Sequence, residues 1–217
     1  RSPSVRVVKH SATVTNTDPR ATFERARRTL MARDPRLAEV IRRTGRLRPD
    51  FEPRDPLAAL VRALVSQQLS TKAAATIHGR VIGLLPSLSA THLLKVSPAD
   101  LRAAGLSGQK VAYLKDLATH VADGRLDLHC LRDKTDEEVI EAIVAVKGFG
   151  VWSAQMFLMF CLHRPDVLPT GDLGIVKGMQ RVLGMKNRPA ERTMQRAAEP
   201  WRPYRSIACW YVWRSLE

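Results

Sequence analysis

The chain has 217 residues, 45 % of them hydrophobic and 26 % charged, enough to bury a core as one domain or two intimate lobes. No apolar run approaches the ~18 residues that span a bilayer, and the opening RSPSVRVVKH lacks the apolar region of a secretory signal. Three widely spaced cysteines, Cys130, Cys161 and Cys209, argue against a disulfide framework or a clustered metal or iron–sulfur site and for a reducing, cytoplasmic setting.

Charge is more informative. The net is +14, with 13 basic and 5 acidic side chains over 1–50, 13 of each over 51–175, and 9 against 3 over 176–217. The excess sits at the two ends of the chain and is mostly arginine. Such a field attracts phosphate backbones whatever their sequence, although a solubilising basic surface would look the same in composition.

In chain order, residues 1–18 are polar and short on apolar periodicity and read as an arm or loose extension. Segments 20–33 and 35–44 are Arg-rich amphipathic helices, followed by the proline-dense loop RLRPDFEPRDP. Asp55 caps a helix that carries Leu57, Leu60, Val61, Leu64 and Val65 at helical spacing and ends in VSQQLS. TKAAATIHGRVIGLL forms the next helix, and SPAD opens another with Ser97 as its cap. GLSGQK is a turn before VAYLKDLATHVADG. Thr135 and Glu138 have capping-box spacing at the start of a helix running to about Val146. An apolar helix to about His163, one from Asp172 to about Leu183, a short one after Pro189 and the closing WRPYRSIACWYVWRSLE complete an all-α chain.

Residues 146–152, VKGFGVW, join two of these helices through a Gly-x-Gly turn. Glycine allows positive φ and close approach, and the first N–H groups of the following helix lack intrahelical acceptors. Together they make an anion site suited to a nucleic-acid phosphate, although a glycine corner is commonly only a corner. One helix and one loop later, LPTGDLGIVKG places Asp172 at a helix start, where an aspartate is normally a cap.

The stretch VKGFGVWSAQMFLMFCLHRPDVLPTGDLGIVKG resembles the motif of the helix–hairpin–helix DNA glycosylase superfamily. LVSQQLSTKAAATIHGRV and WRPYRSIACWYVWR resemble its 3-methyladenine DNA glycosylase II branch, and the resemblance covers roughly 20–217. It implies two helical lobes, about 53–162 and about 19–48 plus 163–217, with DNA and a flipped base in the cleft between them. The implied catalytic carboxylate is Asp172. The implied base pocket is Trp152, Met156, Leu173 and Trp213, with Gln68 as the wedge that fills the gap left by the flipped base. The main chain of Gly148, Gly150 and Ser153 would bind phosphate. Gly108 and Lys110 would do so at a second DNA-facing turn. The carbonyls of Val144, Val146 and Gly148 would hold a monovalent cation.

Two departures from that pattern are visible. Longer members carry a β-rich N-terminal domain for which this chain has no room, and Met156 and Leu173 stand where tyrosines line the pocket. Members that also cut the strand use a lysine in the hairpin's second helix, where this chain has Trp152. Lys147, before the first glycine, does not match that position.

The implied activity is therefore monofunctional removal of alkylated bases, of the 3-methyladenine and 7-methylguanine type, from double-stranded DNA by a monomer without an iron–sulfur cluster. Two other readings remain open at this point. One is a glycosylase for other damaged bases; the other is a non-catalytic DNA-binding module.

Overall fold

The computed structural model describes residues 19–217, so the arm expected over 1–18 lies outside the described residues. Among the described residues all regular structure is helical. The α-helices are α1 (Pro19–Arg33), α2 (Pro35–Thr44), α3 (Pro56–Ser66), α4 (Thr71–Gly83), α5 (Ala90–Lys95) and α6 (Pro98–Ala103). They continue with α7 (Gly108–Ala122), α8 (Asp136–Val144), α9 (Val151–Phe160), α10 (Leu173–Val182), α11 (Glu191–Ala197) and α12 (Arg205–Arg214). Short 3₁₀ turns lie at Cys130–Arg132 and Glu199–Trp201.

Local chemistry accounts for most of these boundaries. Asp34 and Asp55 cap α2 and α3, each followed by a proline that is pre-organised for the first turn. Thr135 and Glu138 complete the expected capping box on α8. The five apolar residues expected to face inward from α3 are all buried.

Three helix boundaries and one whole helix differ from the sequence reading. GLSGQK is not merely a turn: Ser107 caps α7, so Gly108–Lys110 already form its first turn. The helices flanking the hairpin are shorter, ending at Val144 and Phe160. Helix α5 was not expected, because six residues are too few to show a period. Its ends are held instead by Ser89 and by the Lys115 ammonium, which donates to the carbonyls of Leu93, Leu94 and Val96.

The helices pack in two groups. In one, α3 lies against α4, α7 and α9, with α5 and α6 on α7 and α8 on α9. In the other, α12 lies against α1, α2 and α10. Buried side chains from both groups form one connected core.

One polar contact is sunk into the second group. The Asp34 carboxylate, 2 % exposed, accepts from the Trp201 indole Nε1 at 2.9 Å besides capping α2. Burial disfavours its charge, but hydrogen bonds from Arg36, Trp201 and the N–H groups of Leu37 and Arg36 outweigh that and hold its pKa below the ordinary value. This stabilisation is present above the unfolded pKa of about 4 and is lost as pH falls through the lower folded value. Trp201→Phe should lower the unfolding free energy at pH 7 by about 2 kcal/mol. In urea titrations the gap to the parent should close on acidification through the carboxylate range; a gap that stays constant would mean that the indole does not stabilise the charge.

Candidate functional site

The hairpin is set by its glycines and by Phe149. The buried Phe149 ring anchors the turn, and its N–H returns to the Val146 carbonyl at 3.2 Å. Gly148 has φ +87°, and a Cβ there would lie 2.2 Å from Cδ2 of Tyr113. The position is therefore closed to other residues by conformation and by space. The Gly148 carbonyl accepts from Gln67 Nε2 at 2.8 Å, and the Lys147 N–H is held by Asp116.

Helix α9 begins differently from its neighbours. Helices α2 to α8 and α10 each have an N-cap side chain bonded into the first turn, whereas α9 starts at Gly150 with none. Among the described residues, the N–H groups of Val151, Trp152 and Ser153 find no acceptor in the protein. Three uncapped donors at the positive end of a helix dipole form an anion site.

Asp172 lies at the start of α10, delivered by the loop 161–171. That loop is tied down from α12: Ser206 Oγ donates to the Arg164 carbonyl and accepts from the Val167 N–H, while Arg205 grips Asp166 at 2.8 Å. Arg164 Nη2 donates to the carbonyls of Arg132 and Lys134, tying the same loop to the segment before α8.

Asp172 does cap its helix, through Oδ1 to the Ile175 N–H at 2.8 Å. It does more. Oδ1 also accepts from Trp213 Nε1 at 2.9 Å, and Oδ2 accepts from Trp152 Nε1 at 2.8 Å. An ionised carboxylate offers about four acceptor positions, so this arrangement leaves one open, on Oδ2.

The approach of Trp213 depends on glycines that the sequence reading passed over. A Cβ on Gly174 would lie 2.8 Å from Trp213 Cδ1 and Nε1 and 3.0 Å from Asp172 Oδ1. One on Gly178 would lie 2.6 Å from the Val212 carbonyl. The four-residue spacing, visible in GDLGIVKG, strips one face of α10 so that α12 can close on it. Beneath, the wholly buried Cys209 is held far above the usual thiol range by burial and by the Asp172 charge, which keeps it a thiol.

A cleft of about 1180 Å³ runs between α3 and α9, bounded by the hairpin and the Ser66–Gln68 turn. Trp152, Met156 and Phe160 line it from one face of α9, at successive i, i+4 positions. Phe160 was missed in sequence; its signal is that spacing, and it stacks on Trp213 at 5.9 Å.

The residues expected around a base pocket are thus only partly together. Trp152, 49 % exposed, and Met156 line the cleft. Trp213 lies behind Phe160 and faces a separate recess with Leu47 and Trp210, and Leu173 is 63 % exposed on the first turn of α10. Gln68 is at the cleft, exposed, with φ 57°.

Lys110 requires a correction. Its ammonium is not presented to a phosphate but donates to the carbonyls of Val65 and Gln67, each at 2.7 Å, capping the end of α3. The open donors at that turn are main-chain N–H groups at the start of α7, around Gly108. Of the three carbonyls assigned to a cation, Val146 and Gly148 each already accept one hydrogen bond and keep a second lone pair.

The family model for HhH-GPD superfamily base excision DNA repair proteins matches residues 61–203, and the chain belongs to this family. It is 30 % identical over 188 residues to DNA-3-methyladenine glycosylase 1 of Schizosaccharomyces pombe, covering 84 % of this chain and 82 % of that one. A solved DNA-3-methyladenine glycosidase from Bacillus halodurans superposes with a TM-score of 0.81 at 37 % identity, over 88 % of each chain. The S. pombe enzyme in complex with abasic DNA gives a TM-score of 0.78 at 28 % identity, over 88 % of this chain and 95 % of that one.

Gly174→Ala should displace Trp213 from Asp172 and lower any activity that needs the carboxylate by at least about tenfold. Thermal melting should move much less than in Gly178→Ala, where the added methyl meets backbone. Unchanged activity in Gly174→Ala would separate Trp213 from the function of Asp172.

Proposed function

We propose that the chain is a monofunctional DNA glycosylase. It hydrolyses the N-glycosidic bond of alkylated bases, of the 3-methyladenine and 7-methylguanine type, in double-stranded DNA during base-excision repair. The observation that carries this reading is the Asp172 carboxylate, held by two indoles and a main-chain N–H with one acceptor position left open, one of those indoles, Trp152, lining an aromatic cleft. The substrate class is supported by the similarity to the 3-methyladenine glycosylases of S. pombe and B. halodurans.

The N–H groups at the end of the hairpin and in the first turn of α9, Gly150 to Ser153, bind a phosphate of the damaged strand, with those at the start of α7 around Gly108 as a second backbone contact. Carbonyls of Val144, Val146 and Gly148 would hold a monovalent cation, whose chemistry is added positive charge beside that phosphate. Gln68 enters the stack as the damaged nucleotide turns out. The extruded base lies against Trp152, Met156 and Phe160, and a cationic alkylated purine gains from their electron-rich faces.

As the C1′–N bond breaks, its electron pair leaves with the base, which departs neutral because alkylation had already made it cationic. Positive charge builds on the sugar. Asp172 stabilises that charge, orients the water that adds to C1′ and takes up the proton that this water loses. A leaving group of this kind needs no protein acid. With Trp152 at the position where strand-cutting members carry lysine, no Schiff base forms and the product is an intact abasic site.

The test is base release from alkylated duplex DNA, with free bases resolved by chromatography. Asp172→Asn keeps a good helix cap and should melt normally while losing at least about a hundredfold in rate. Retained release would remove Asp172 from the chemistry. Trp152→Phe keeps the aromatic face but deletes the donor to Oδ2, and should slow release about tenfold with little change in binding to undamaged DNA. Borohydride should trap no covalent adduct; a trapped adduct would overturn the monofunctional assignment.

A further inference from the structure

The turn that follows α3 is strained, and two side chains outside the Asp172 site hold it. Gln67 has φ −53° and ψ 128°, Gln68 has φ 57°, and the Leu69 N–H returns to the Ser66 carbonyl at 3.2 Å. These values describe a type II-like turn, whose third position normally takes glycine or asparagine. Glutamine is unfavourable there, and such a conformation persists only where its surroundings over-determine it.

The surroundings are specific. Lys110, in the first turn of α7, reaches the carbonyls on both sides of Ser66 with one ammonium: Val65 and Gln67, each at 2.7 Å. It sits at the negative end of the α3 dipole, where carbonyls lack intrahelical donors. From the other side, Gln67 Nε2 donates to the Gly148 carbonyl at 2.8 Å, which joins the turn to the hairpin across 81 residues of sequence. Gly148 is pressed on Tyr113, and Tyr113 Oη accepts from Gln109 Nε2 at 2.6 Å. The strained turn, the start of α7 and the hairpin thus form one frame.

We propose that Lys110 and Gln67 are positioning residues: they hold Gln68 in its left-handed conformation at a set distance from the phosphate-binding hairpin. Extrusion of the base and grip on the phosphate then occur in one register. This inference rests on the reading of Gln68 as the wedge.

The experiment compares single-turnover release of a methylated purine from two duplexes, one with the lesion paired and one with it opposite an abasic analogue, where little must be unstacked. In the paired duplex, 2-aminopurine beside the lesion reports extrusion by fluorescence. The variants are Lys110→Met, Gln67→Met and Gln68→Ala. Lys115→Met is the control, since that lysine caps α5 with the same chemistry away from the turn.

Lys110→Met and Gln67→Met should each lose about tenfold on the paired lesion but under about threefold on the unpaired one, with a weaker fluorescence rise. Lys115→Met should lower melting without changing that ratio. Equal losses on both duplexes, or no loss on either, would overturn the positioning role even where Gln68→Ala abolishes extrusion. Full extrusion by Gln68→Ala would overturn the wedge reading and the positioning role with it. Should Lys110→Met fail to fold, Gln67→Met, which removes no charge, decides the matter.

Discussion

The proposed site depends on one carboxylate shared between two indoles. Asp172 is the cap of α10, so its backbone position follows from helix physics alone. What distinguishes it from the other capping residues is that α9 and α12 each bring a tryptophan N–H to it. The carboxylate links the helix after the hairpin, the C-terminal helix and the helix it caps. It is therefore fixed in place before any substrate arrives, and electrostatic stabilisation of a developing cation needs such preorganisation.

The contrast with Asp34 is instructive. That residue is also an N-cap and also accepts from an indole, yet it is buried and its partners are structural. The same pair of residue types serves as a core strut in one place and forms the proposed site in the other. Exposure separates them: Trp152 lies half open to solvent at the edge of a cleft, whereas Trp201 is wholly enclosed. The anion site obeys the same logic. An N-cap side chain takes one or two of the first-turn donors of its helix, whereas α9, which begins at glycine, has no such side chain on its first turn.

Much of this was legible in sequence because it is local. Capping residues, first-turn prolines and the Gly-x-Gly corner announce themselves within four or five residues, and so the helices and the hairpin were readable. The pairing of Asp172 with Trp213 spans 41 residues and the tie from Gln67 to Gly148 spans 81; no periodicity encodes such contacts. The resemblance supplied Asp172 and Trp213 as separate residues but not their hydrogen bond. Lys110 was misread because a lysine in a glycine-containing turn suggests a phosphate, whereas its ammonium satisfies the carbonyls at the end of α3. Phe160, Gly174 and Gly178 were missed although their four-residue spacings were present, since such spacing on an apolar helix is usually only packing.

The proposed role of Asp172 is to stabilise positive charge on the sugar. Its most direct test is the affinity of the protein for duplex DNA carrying a cationic pyrrolidine in place of the damaged nucleotide, measured against a neutral tetrahydrofuran at the same site. The wild type should prefer the cationic ring by more than about a hundredfold, as for other mimics of a transition state, and Asp172→Asn should lose this preference while binding the neutral site unchanged. Equal affinity of the wild type for both rings, or a preference that survives in Asp172→Asn, would contradict it.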